Sequence, residues 1–228
     1  MSVIQSGLNV KRHALVAREY EKTLVVSILF SIALILARVG YTGKIYSLFM
    51  IWNLFLGSLP YLITRTMSRE PKWAASRLNF VIAFLLWIFW VPNSFYIITD
   101  LFHLHQNPDV PHWYDLALYM SCAWNGLLMG LLSVRQMEKC WMVRFPKVKD
   151  WWFIAPVMFL NAWGVYIGRF LRFNTWDLVS NPFQLLADIF PMLLHPMENK
   201  YAWGMVLCFS VMMTLMYVTL KQLSRAIR

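Results

Sequence analysis

The chain has 228 residues, of which 59% are hydrophobic, 17% aromatic and only 14% charged, with a formal net charge of +10. Soluble domains are about a quarter charged and about 45–50% apolar, so this composition lacks the polar surface needed to cover a soluble globule. The positive charge is not a nucleic-acid footprint either. The basic residues sit in short segments between apolar runs, as topology signals and anionic-lipid contacts do, and no aromatic-basic groove motif accompanies them.

Six apolar runs, near 23–39, 45–64, 78–98, 114–134, 152–168 and 201–220, are long enough to cross a bilayer, which takes ~20 helical residues. They are continuously apolar and show no strand-like alternation. The sequence therefore predicts an all-α fold: one polytopic membrane domain over 1–228, built as a six-transmembrane-helix bundle. The first run begins near Thr23 with no Ala-x-Ala-like cleavage site after it, and is expected to stay as an anchor.

Lys11, Arg12, Arg18 and Lys22 precede the first run. Arg65, Arg69, Lys72 and Arg77 follow the second, Arg135, Lys139, Arg144, Lys147 and Lys149 follow the fourth, and Lys221, Arg225 and Arg228 end the chain. These are most of the 21 lysines and arginines, and all fall on one side of a six-span topology. The opposite side holds Arg38, Lys44, Arg169, Arg172 and Lys200. The asymmetry predicts that both termini are cytoplasmic. Trp151 and Trp152 would anchor the cytoplasmic surface, and Trp113, Tyr114, Tyr201 and Trp203 the outer one.

The third run ends in Trp90-Val91-Pro92-Asn93-Ser94-Phe95-Tyr96-Ile97-Ile98-Thr99-Asp100-Leu101-Phe102-His103-Leu104. On a helix, Asn93, Tyr96, Asp100 and His103 share one face. Ionisable groups at the mouth of a span are expensive, which marks them as candidates for function. Pro92 either kinks the helix or marks an unwound segment, with Asn93 placed to satisfy a freed carbonyl. His105, Asp109 and His112 continue the outward loop.

Gly126 and Gly130 form a Gly-x-x-x-Gly pair on the fourth span, and Gly164 and Gly168 a second on the fifth. Such pairs let helix backbones approach closely in lipid. The expectation is a tight fourth–fifth hairpin, with Asn125 and Asn161 bonding across it, or a homo-oligomer contact through the same glycines. Cys122 and Cys208 fall within apolar runs and read as core residues. With Cys140 they give no disulfide or metal framework.

The fifth span leaves through Arg169, Arg172, Asn174 and Asp177 on the side of Asp100 and His103, and a helical continuation would align Tyr166, Arg169, Phe173 and Asp177. The connection 170–200 carries a short helix over 181–191, capped by Asn181, started by Pro182 and stopped by Pro191, lying in the outer interface.

Three readings compete for this outer cluster. In the first, an arginine pairs Asp100 or Asp177 and locks helix ends together. In the second, Arg169 and Arg172 clamp an anionic head group of a lipid or envelope substrate, with Asn93, Tyr96, Asn174 and Asp177 lining the site. Asp100 and His103 are then the acid/base or ligand pair. In the third, Asp100 and His103 begin a metal site completed by His105, His112, Asp177 or His195. No phosphate-cradling glycine loop and no Gly-x-Ser-x-Gly elbow occur, and the span centres lack Asp, Glu, Lys and Arg, which argues against nucleotide hydrolysis and proton-coupled transport.

The run Val91-Pro92-Asn93 to Tyr96 with Thr99-Asp100 and His103-Leu104, joined by Gly168-Arg169-Phe170-Leu171-Arg172, Asn174 and Trp176-Asp177, resembles the signature of domain-of-unknown-function family 1361. That family often has proline where Ser94-Phe95 stands here. The resemblance covers most of the chain from the second span onward. It implies a bacterial multi-pass protein of the cytoplasmic (inner) membrane, and it brings no activity, cofactor or catalytic residue. The function expected is recognition of, or action on, an anionic lipid or envelope head group. The alternative is a non-enzymatic component, a transporter subunit or regulatory partner, in which the cluster is a structural lock.

Overall fold

A computed structural model describes residues 2–70, 76–104, 109–173 and 180–226, with side chains described from Glu19 onward. Helix α1 covers Ser2–Thr42, and a 3-10 turn at Ile45–Leu48 leads into α2, Phe49–Arg69. Helix α3 covers Arg77–Tyr96 and tightens into a 3-10 segment, Ile97–His103. Helices α4 (His112–Arg144), α5 (Trp151–Phe170), α6 (Pro182–Leu194) and α7 (Lys200–Ala226) follow. No strand occurs among the described residues.

Six stretches are long and apolar enough to cross a membrane: Glu19–Thr42, Ile45–Arg69, Arg77–His103, His112–Arg144, Trp151–Phe170 and Lys200–Ala226. Each contains one of the sequence-predicted runs and extends past it. Large apolar side chains face outward along them, among them Val26 and Phe30 on α1, Leu78 and Leu85 on α3, and Val211 and Leu215 on α7. A surface of this kind on helices of bilayer length suits contact with lipid. Helix α4 is the axis: 67% of its membrane-length window is buried inside the chain, against 17% for α7. Cys122 is buried as expected, but Cys208 is exposed on the outer face of α7 rather than in the core.

The expected hairpin between the fourth and fifth spans does not form; both glycine pairs face α3 instead. A Cβ added at Gly126 would lie 2.9 Å from the Ser94 carbonyl oxygen, and one at Gly130 2.9 Å from Ser94 Cβ. At Gly164 it would lie 2.6 Å from the Pro92 ring, and at Gly168 3.2 Å from the Tyr96 ring. Gly57 of α2 meets the same stretch: an added Cβ would lie 3.4 Å from Ser94 Cα, and the Gly57 carbonyl accepts a hydrogen bond from Ser94 Oγ at 2.6 Å. Residues 92–97 are thus held between α2, α4 and α5. The α3–α5 contact steps by four on both helices, Pro92 on Gly164 and Tyr96 on Gly168, as two parallel neighbours should. The glycine faces named above for an oligomer are therefore taken within one chain.

The amides likewise find other roles. Asn125 donates to the Ser27 carbonyl (3.1 Å) and to Ser31 Oγ (2.9 Å), tying α4 to α1. Asn161 is fully buried and its side chain has no hydrogen-bond partner among the described residues. Nor does α3 unwind at Pro92: it stays α-helical through Tyr96. Asn93 Nδ2 donates to the Trp90 carbonyl at 3.1 Å, within its own helix.

Pro191 does not stop α6, which runs on to Leu194, and Asn181 makes no side-chain cap. Tertiary packing carries the helix past the proline. Met192 is buried among Ala162, Trp163, Ala202 and Val206, and its carbonyl accepts from Trp203 Nε1 at 3.1 Å. Phe183, Leu186 and Phe190 remain exposed on the other face, as an interfacial helix requires. Of the aromatic anchors, Trp113, Trp151, Trp152 and Tyr201 point outward, whereas Tyr114 and Trp203 turn in to bond backbone carbonyls.

At the basic rim several cations are paired. Glu138, buried on α4, accepts from Lys221 Nζ (2.5 Å), Tyr217 Oη (2.5 Å) and Arg135. Lys221 also reaches Asp150 at 2.7 Å and holds that carboxyl below the usual carboxylate range. Arg65 and Arg69 both bind Glu21.

The glycine contacts give a direct test. Gly164→Ala forces a methyl into a rigid proline ring and should destabilise by ~1–3 kcal/mol. Gly204→Ala has nothing within 4 Å of the new carbon and should be neutral or stabilising. Thermal unfolding of both variants in detergent, with the Gly164 variant melting lower, is the expected result.

Candidate functional site

The rim opposite the basic one collects the polar residues. Its geometry begins with the tightening of the chain after Tyr96. In a 3-10 turn, residues i and i+3 eclipse, so Asp100 and His103 lie along one edge. Asp100 is 1% exposed. Its close partner is on α2, where Asn53 Nδ2 donates to Oδ2 at 2.8 Å. Arg169, in the last turn of α5, approaches Asp100 Oδ1 from the other side at 3.6 Å, inside ion-pair range but beyond a good hydrogen bond.

Arg169 Nη1 also lies 3.3 Å from His103 Nε2. A guanidinium donates and never accepts, so in this contact Nε2 is on the accepting side. The other ring nitrogen, Nδ1, faces Tyr46 Oη at 3.1 Å. The ring of His103 rests edge-on against Phe49 and tilted against Tyr119. Phe102 supports the guanidinium from beneath, 5.2 Å from ring centre to Cζ. The result is a chain of contacts, Asn53–Asp100–Arg169–His103–Tyr46, drawn from α2, the 3-10 segment, α5 and the Ile45–Leu48 turn.

The sequence-derived face divides in space. Asp100 and His103 meet Arg169 as expected. Tyr96 turns instead toward Gly168, and Asn93 bonds within its own helix. The helical alignment of Tyr166, Arg169 and Phe173 fails because α5 ends at Phe170. Arg172 takes a left-handed backbone, φ 59°, and is exposed, with no ion-pair partner among the described residues. Asn174 and Asp177 lie outside the described residues, as do His105 and Trp176. Among the described residues no three His, Cys, Asp or Glu side chains gather as a metal set.

Two members, Asn53 and Tyr46, were not assigned to the site from sequence. Asn53 and Tyr46 stand seven residues apart, two helical turns, and that spacing is the signal that places them on one edge. A second buried pair was also missed: Arg38 on α1 grips Asp115 on α4 through Nε (2.8 Å) and Nη2 (3.3 Å), with side chains 1% and 5% exposed. Its bidentate, dry geometry makes it a structural clasp at the same rim.

An all-helical bundle with six helices long and apolar enough to cross a bilayer is a multi-pass membrane protein. The chain belongs to the family described as "Protein of unknown function (DUF1361)", whose model matches residues 52–216. The matched stretch contains Asn53, Asp100, His103 and Arg169 and leaves α1 outside it. No curated protein and no solved structure matches the chain.

Removing one side of the ion pair separates its members. Arg169→Met strands a buried carboxylate and should cost ~3–5 kcal/mol. Asp100→Asn keeps shape and an amide partner for Asn53 and should cost less, and the double variant should recover most of the Arg169→Met loss. A melting series in one detergent checks the order.

Proposed function

We propose that this rim is an outward-facing site for an anionic head group, in a bacterial cytoplasmic membrane protein with both termini inside. The observation that carries the proposal is how Arg169 is held. Its ion-pair partner sits at 3.6 Å and spends its short hydrogen bond on Asn53. Among the described residues only Nη1 of the guanidinium hydrogen bonds, to His103. A guanidinium has five donors in a planar fork that matches phosphate and carboxylate oxygens. Asp100 therefore acts as a positioning residue that orients Arg169 without saturating it.

His103 and Tyr46 supply the polar wall, and Arg172 a second cation. An arginine at φ 59° is in a conformation that L residues disfavour. Asn93 and Tyr96 brace the α3 end, while Asn174 and Asp177 are assigned to the site by their place after Arg172 in sequence. Membership of a bacterial family follows from the resemblance of the two motif runs, and the outward direction from the lysine and arginine asymmetry.

A second reading has its own support. Asp100 is 1% exposed and joins three chain segments, which suits a structural lock in a non-enzymatic component. The Asp100→Asn/Arg169→Gln double variant decides between the two. Native mass spectrometry of protein extracted from membranes containing phosphatidylglycerol should show anionic lipid retention ~10–100-fold weaker in a stable double variant. Unchanged retention in that variant contradicts the head-group proposal and leaves the lock.

A further inference from the structure

Resting on the anion-binding reading, we infer that the ligand of the Arg169 site is a whole amphiphile drawn from the bilayer, with its chain against Phe102 and Phe170, and not a water-soluble anion. Depth is the first observation. Helix α5 has 20 residues, which at 1.5 Å per residue is about the thickness of the hydrocarbon layer. Its first residues, Trp151 and Trp152, are exposed aromatic anchors. With that end at one interface, Arg169 in the last turn lies at the opposite boundary between acyl chains and head groups.

The second observation is what surrounds the guanidinium. Phe102, whose ring underlies Arg169, is 54% exposed, and Phe170, the next residue in the chain, is 53% exposed. Phe170 is stacked on Tyr166 with ring centres 5.2 Å apart, so its outward face is fixed. Arg169 itself is 16% exposed. A soluble anion approaching it must shed its hydration beside aromatic faces that return nothing in exchange. An amphiphile replaces lipid on those faces with its own first methylenes while its charge meets the guanidinium, so head and chain are recognised together.

The test uses the full chain in a nonionic detergent and isothermal titration with four probes. These are dihexanoyl phosphatidylglycerol below its micellar concentration, its deacylated head group glycerophosphoglycerol, inorganic phosphate, and dihexanoyl phosphatidylcholine. The expected result is that the short-chain phosphatidylglycerol binds roughly tenfold or more tightly than any of the other three. That advantage should vanish in Arg169→Gln and shrink in Phe102→Ser, with both variants checked for an unchanged melting profile. If the deacylated head group or phosphate binds as tightly as the lipid, in an Arg169-dependent way, the amphiphile inference is overturned and the anion site stands. If the choline lipid binds equally well, or no probe depends on Arg169, both fall. Should Arg169→Gln fail to fold, the comparison of the four probes on the unaltered chain still decides the inference.

Discussion

Close approach of the α3 backbone to three neighbours is the constraint on which the bundle depends. Inside lipid, apolar side chains gain nothing by turning from acyl chains to each other, so helices are held by van der Waals fit and by hydrogen bonds between them. The stretch 92–97 supplies both. Glycines of α2, α4 and α5 clear space for it, and Ser94 bonds the Gly57 carbonyl across the gap. Because the same stretch runs directly into the 3-10 segment, the grip on Pro92, Ser94 and Tyr96 also fixes where Asp100 and His103 emerge. Packing in the membrane and geometry at the rim are in this sense one problem.

Charge is handled by the same economy of partners. Among the described residues, the buried charged side chains are distributed between the two rims and paired: Arg38 with Asp115, Asp100 with Arg169, and Glu138 with Lys221, Arg135 and Tyr217. Two of these clusters are tight, and the Asp100–Arg169 pair is the looser one. A clasp whose purpose is stability gains from short bidentate contacts, as Arg38 and Asp115 make. Under the head-group proposal, the wider spacing at Arg169 leaves donors available to a ligand. Helix α1 illustrates the first case, because Ser27, Ser31, Leu34 and Arg38 all contact α4 through hydrogen bonds.

The spans were legible in sequence because continuous apolar runs of bilayer length have few other uses, and all six were found at their places. So was the meeting of Asp100, His103 and Arg169 at one rim, because span direction alone assigns helix ends to sides. Pairing between helices was not legible. Gly126 and Gly164 advertise close contacts without naming the partner, and the partner proved to be the proline-containing α3 rather than each other. Arg38 and Asp115 are 77 residues apart, with no local pattern joining them. Pro191 misled because its local cost is real but smaller than the packing of Met192 beyond it. Asn174 and Asp177 stay at the level of sequence, outside the described residues.

The most direct measurement is a side-chain-resolution density map of the protein in a lipid nanodisc, read at α3. The account predicts the Pro92 ring against Gly164, Ser94 between Gly57 and Gly130, and Asp100 flanked by Asn53 and Arg169. A map in which Gly126 and Gly130 pack on Gly164 and Gly168, with Arg169 turned away from Asp100, would contradict it.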